Sequence, residues 1–188
     1  MKRLALSAGA LWFIWHQNDG SEKAIGGAKK VWVGSLDDRI KILTDYIIEG
    51  REDTRMRDLA GQILRQAAVR GKDWQREVDA IFTWVQRNIR YTRDILDVDT
   101  FQKPYKTLET RIGDCDDMTT LMGALLGSVG YPVRIKVIAA GSADWDHVYP
   151  LVGMPPHAPV RWIAVDASID AGLGYEVTAK KQKIYEVD

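Results

Sequence analysis

The sequence holds one cysteine, Cys115, which excludes an internal disulfide framework and a zinc site built on several thiolates. Neither sign of charge is in excess. Lys+Arg and Asp+Glu both number 26, so the basic surplus that usually accompanies nucleic-acid binding is missing. There are no repeats and no low-complexity tract. A bilayer-spanning run is lacking too: the apolar stretch Leu4 to Trp15 is too short to cross as a helix. With Lys2 and Arg3 before it, this stretch has the first half of a secretory signal, but no small-x-small cleavage site follows. Secretion is therefore not supported. The expectation is a short helix covered by its own domain or by a partner chain.

What is present suits one globular domain with an extension. The 188 residues suffice for a proper core, and seven tryptophans are rich in buriable area. Residues 16–30 are rich in Gly, Ser, Lys and Asn and read as a linker. From Ser35 the apolar spacing turns helical: Leu36, Ile40, Leu43 and Ile47 lie at intervals of three and four, behind a cap at Ser35 and with Gly50 as the expected stop. A second helix is expected from Asp53 to Val69 and a third from Asp73, with Val78, Ile81, Phe82, Val85 and Ile89 on its apolar stripe. Residues 92–110 show no period and contain Pro104, so they read as turns. A fourth helix starts at Cys115 and ends by Gly127 or Gly130. Beyond it the period changes to two. Val133 to Ile138, His147 to Val152 and Arg161 to Val165 read as strands. Helices first and an antiparallel sheet after them predict an α+β fold. The expected division is residues 1–34 as apolar segment and linker, 35–72 as a helical preface, and 73–188 as the main domain with a solvated tail around Lys180, Lys181 and Lys183.

The chemistry centres on Gly113-Asp114-Cys115-Asp116-Asp117. A cysteine in the first turn of a helix meets unpaired backbone N–H groups and the positive end of the helix dipole, both of which favour a thiolate. Gly113 would permit a tight turn before it. The acids at 114, 116 and 117 oppose the thiolate unless they point away from the sulfur or pair elsewhere, with Arg111 as one possible partner. Further along, His147 opens a predicted strand and Asp166 closes the next. Neighbouring strands would bring His147 beside Asp166, and the helix start would bring Cys115 to the other ring nitrogen. In that arrangement His147 accepts the thiol proton and Asp166 fixes its tautomer. Asp144, Asp146 and His147 match no metal-binding spacing, and His16 and His157 read as surface residues.

Several local words, taken in order, resemble the transglutaminase-like superfamily. They are Trp84-Val85-Gln86-Arg87-Asn88-Ile89-Arg90-Tyr91, the cysteine segment, Gly130-Tyr131-Pro132-Val133-Arg134, His147-Val148-Tyr149 and Trp162-Ile163-Ala164-Val165-Asp166. The resemblance covers about residues 73–170. It implies a papain-like fold in which Cys115, His147 and Asp166 form a catalytic triad, without metal or cofactor, acting on a peptide or protein amide. The family includes acyl transferases, peptidases and amidases, and members that have lost activity. Tyr91, Tyr105 and Trp84 are candidates for a second oxyanion donor or a substrate contact. The helical preface, the word Gln102-Lys103-Pro104 and the short tail are similar to compact forms encoded in tailed-phage structural gene clusters. That similarity implies a cytoplasmic or virion-associated protein, docked through residues 1–30 to other chains of an assembly. It also leaves open an assembly role in which the triad is idle.

Overall fold

The computed structural model describes residues 24–25, 28–29, 35–92, 101–141 and 143–188. The helix expected over Leu4–Trp15 lies outside them, as do His16 and most of residues 1–30. Within the segment read as a linker, Ala24–Ile25 (β1) pairs antiparallel with Ala28–Lys29 (β2).

Helix α1, Leu36–Glu52, begins where the Ser35 hydroxyl accepts the Asp38 N–H, with Asp37 and Asp38 against the positive end of its dipole. It buries Ile40, Leu43, Tyr46 and Ile47. Gly50 is not its stop. The helix runs through it, because this glycine is where another helix comes closest: a Cβ there would lie 2.6 Å from Ala124 Cβ and 2.9 Å from Pro104 Cγ. Helix α2, Thr54–Gln66, is capped by Asp53 and ends before Val69, and α3, Trp74–Asn88, is capped by Asp73. The segment read as turns contains a helix, α4, over Pro104–Thr110. Pro104 occupies its first turn, where the absent N–H has no intrahelical partner to lose, so this proline opens a helix and does not break one.

Helix α5, Cys115–Ser128, is the centre of the molecule. Its residues from Asp117 to Leu126 are all buried, the polar Asp117, Thr119 and Thr120 among them with hydrogen-bond partners. Helix α1 approaches it through small residues: a Cβ on Gly123 would lie 2.8 Å from Ile47, and one on Gly127 would lie 3.1 Å from Arg51 Cβ. The other side of α5 packs on a four-stranded antiparallel sheet of order β7-β6-β5-β8. Its strands are β5 (Val133–Ala139), β6 (His147–Met154), β7 (Arg161–Ala164) and β8 (Lys181–Glu186). The outer face of the sheet carries a second small core of Ile138, Tyr149, Leu151 and Ala164, covered by Trp162, Val177 and Ala179. A separate two-residue parallel ladder joins Arg90–Tyr91 (β3) to Ile112–Gly113 (β4) and ties the end of α3 to the cysteine segment.

The lysine-rich C-terminal run is not a solvated tail. It is edge strand β8, in register with β5 from Arg134↔Glu186 to Ala139↔Lys181. Its side chains are mostly exposed, so the usual apolar alternation is muted, and lysines on an edge discourage pairing with a further strand. Among the described residues no helix is long and apolar enough to cross a membrane.

The glycine contacts give a test with a defined sign. In an exposed helix, Gly→Ala stabilises by up to about 1 kcal/mol. Gly50→Ala should instead destabilise by about 1–3 kcal/mol, because its methyl enters the α1–α5 contact. Gly71→Ala meets nothing within 4 Å and should stay within about 0.5 kcal/mol of wild type. Urea denaturation of both variants measures the difference. A stabilised Gly50→Ala protein would refute the packing described.

Candidate active site

The site is assembled at the N-terminus of α5, at the start of β6 and just beyond β7. Asp114 is the N-cap residue: its carboxylate accepts the N–H groups of Asp116 at 3.0 Å and Asp117 at 3.1 Å, and its carbonyl takes the N–H of Met118. The first-turn donors are thereby used up except for the Cys115 N–H, which has no acceptor among the described residues. Gly113 is required for space and not for its backbone freedom. A Cβ there would fall 2.7 Å from Asp117 Cβ and 3.1 Å from Thr107 Cγ2.

The structure brings His147 and Asp166 together. His147 Nε2 lies 2.6 Å from Asp166 Oδ2, and Asp166 is 6% exposed. The second oxygen of Asp166 accepts both the N–H of Ser168 at 3.1 Å and its hydroxyl at 2.6 Å. The carboxylate is thus fixed from two sides. Because Nε2 faces the acid, Nδ1 is the ring nitrogen left for proton exchange, and it has no hydrogen-bond partner among the described residues.

Cys115 sits beside this pair, half-buried, with the backbone of Val148 against it. Its thiol makes no hydrogen bond to His147. The polar partner of the sulfur is Asp116, with Oδ1 at 3.9 Å. Burial pushes the thiol well above its ordinary pKa, the charges of Asp116 and Asp114 add to this, and Asp166 contributes in the same direction. The Val148 N–H acts the other way and is outweighed. The helix start therefore does not yield a resting thiolate: desolvation and the nearby carboxylates exceed what the first turn offers.

The three acids do not all point away from the sulfur or pair elsewhere. Asp114 is the cap, Asp116 meets the thiol, and Asp117 turns inward. Asp117 is 2% exposed and accepts the Gln102 backbone N–H at 2.7 Å and its Nε2 at 2.6 Å. Burial raises its pKa to about 7, helped by the charge of Asp114 and opposed by the two Gln102 bonds. Arg111 pairs with none of them. Its guanidinium lies 5.0 Å from the Trp84 ring centroid.

Of the other candidates, Tyr91 lies opposite Gly113 in the β3–β4 ladder, two residues from Cys115. Tyr105, on α4, lies under the Arg55 guanidinium, and Trp84 lies under that of Arg111. Asp146 accepts the N–H groups of Ala140 and Gly141, both at 2.8 Å, and fixes the turn that delivers His147. Ser168 and Gln102 were not expected in supporting roles. Ser168 could have been found from its place two residues after Asp166, where a hydroxyl and a backbone N–H can both turn back on the carboxylate.

The sequence pattern of the transglutaminase-like superfamily matches residues 58–167, beginning inside α2. Among solved structures, a candidate protease from Parabacteroides distasonis ATCC 8503 superposes with a TM-score of 0.52 at 13% identity, over 75% of this chain and 31% of that one. A candidate cysteine protease from Cytophaga hutchinsonii gives a TM-score of 0.45 at 20% identity, over 71% of this chain and 46% of that one. At these identities the likeness is one of fold, and the chain spans less than half of either protein. No curated protein matches the sequence.

Two outcomes follow from the charges. Asp116→Asn removes a negative charge 3.9 Å from the sulfur and should speed iodoacetamide alkylation of Cys115 at neutral pH, on the order of tenfold. An unchanged or slower rate would show that Asp116 does not restrain the thiol. Asp117 binds its proton more tightly folded than unfolded, so its burial should erode stability as pH rises from about 4 to about 7, with no further loss above. Urea midpoints of wild type and Asp117→Asn across that range should converge at low pH and separate at high pH in favour of the amide. Parallel profiles would contradict the raised carboxyl.

Proposed function

The chain belongs to the transglutaminase-like superfamily, and on that premise we propose that it is a cysteine-dependent hydrolase of amide or peptide bonds. The observation that supports the reading most is the 2.6 Å His147–Asp166 pair beside a cysteine at a helix start.

In this mechanism the resting nucleophile is a thiol. As a substrate carbonyl approaches, Cys115 Sγ attacks the carbon and its proton passes to His147 Nδ1. The imidazolium formed is stabilised by Asp166 at Nε2. The developing oxyanion is taken by the Cys115 N–H, which has no competing acceptor among the described residues, with Tyr91 as the assigned second donor on the strength of its register opposite Gly113. Collapse breaks the C–N bond, and the departing amine takes the proton from His147. Water then attacks the thioester, His147 accepts its proton, and the acid leaves with the thiol restored. Attack by an amine in place of water would give transfer. Hydrolysis is the outcome proposed, with water as the acceptor.

A second reading has an observation of its own. The raised thiol and the missing thiol–imidazole bond suit a chain that keeps the fold in an assembly role with an idle site.

Trapping the acyl-enzyme separates the two. Native chain incubated with a complex peptide digest and hydroxylamine should release peptidyl hydroxamates and show transient acylation of Cys115 by mass spectrometry. Cys115→Ala should give none. Asp166→Asn should lower the yield strongly while leaving circular dichroism unchanged, by less than the ~10⁴-fold loss of a serine triad, because a thiol ionises more readily than a hydroxyl. No acylation in the native chain, with Cys115 alkylation indifferent to His147→Ala, would establish the idle reading.

A further inference from the structure

Several basic side chains are held in ion pairs. Arg55 is held by Asp53 at 2.6 Å, Lys103 by Glu49 at 2.7 Å and Arg134 by Glu186 at 2.7 Å. At the C-terminal end of α3 three arginines line one cleft. This open cleft of about 530 Å³ is lined by Arg87, Arg90 and Arg111, together with Gln86, Asn88 and Thr110. None of the three guanidinium groups has a carboxylate within ion-pair distance among the described residues. In a chain with as many acids as bases, three arginines lining one cleft without an acid in it raise its positive potential, and a bound anion would lower it.

The cleft is also held in shape. Gln86 Nε2 donates to the carbonyls of Ile169 and Ala171, both at 2.9 Å, which fixes this end of α3. Arg90 N–H donates to the Arg111 carbonyl at 2.8 Å, so two of the three arginines are cross-linked through their backbones. Arg111 is a non-glycine residue in the left-handed region, with φ 59°, and its guanidinium rests over the Trp84 ring. A planar guanidinium supported by an aromatic face keeps its in-plane donors for a carboxylate, which it can take with two parallel hydrogen bonds.

We propose that this cleft binds a carboxylate side chain of an acidic peptide. The peptide would be the one presented to Cys115, and in that respect the inference rests on the hydrolase reading. Arg111 precedes Cys115 by four residues along β4 and the cap, so the Cα separation is at most about 14 Å. An extended peptide with its carbonyl at Cys115 therefore reaches the cleft with an acidic residue about three or four positions away. A nucleic acid would also present anions, but the balanced charge gives no wider basic field to hold its backbone.

The test is equilibrium binding by calorimetry, with the full chain carrying Cys115→Ala so that no chemistry intervenes. The probe is a blocked hexapeptide with two glutamates, compared with its glutamine counterpart. The acidic peptide should bind on the order of tenfold more tightly. Arg87→Gln, Arg90→Gln and Arg111→Gln should each reduce that preference, and Arg161→Gln, on β7, should retain it. Equal affinity for both peptides, or a preference indifferent to all three variants, overturns the proposal. So does an oligonucleotide of matching charge that binds more tightly and is lost in the same variants. If the preference is found while the native chain never acylates Cys115, the cleft stands as a peptide site and the hydrolase reading falls. If acylation occurs without any preference for glutamate, the reverse holds.

Discussion

Helix α5 is buried along most of its length, and the packing around it follows from that constraint. With its residues from Asp117 to Leu126 buried, α1 must cover one flank and the sheet another. The Thr119 hydroxyl donates to the Val148 carbonyl at 3.2 Å and fixes where the helix lies on β6. Only its two ends reach the outside, and the first turn is the end that carries Cys115. The single cysteine is therefore set at the end of a rigid central rod, against the first residues of the strand that carries His147. Its position is set by the packing of the core, which is more exact than a loop would allow.

The same burial that positions the thiol works against its ionisation. A sulfur surrounded by protein and faced by Asp116 holds its proton. Asp117 shows the opposite use of burial, as an anchor: it ties the Gln102 loop to the helix through two short bonds. One run of acids thus serves three ends, a cap, a restraint and a strut. Their spacing along the first turn decides which is which, since residues 114, 116 and 117 face different directions.

Periodic features were legible in the sequence and the others were not. The stripes Ile40-Leu43-Ile47 and Val78-Ile81-Phe82-Val85 located α1 and α3, because a face that must be buried writes its period into the residues. Ser35 and Asp73 marked starts correctly. Gly50 and Pro104 misled for a shared reason: each was read as local punctuation, while the structure uses the one for close approach of helices and the other as an opening residue. Strand β8 was hidden because an exposed edge has no apolar alternation to display. At the site, the order Cys, His, Asp was readable and placed His147 with Asp166. The direction of Asp116 was not, because which carboxylate faces a sulfur depends on side-chain rotation that no spacing encodes.

The order of strands bears on how the chain comes into being. Strand β5 lies between β6 and β8, and its register with β8 spans six residue pairs. During synthesis β6 can close on β5 and β7 on β6 as consecutive hairpins, whereas residues 181–186 leave the ribosome about forty positions after β5. Over that interval the far side of β5, with Ile135, Val137 and Ile138, is an unpaired edge open to any extended neighbour. The charged residues of β8 thus do double duty, closing the nascent sheet and leaving behind an edge that is hard to extend.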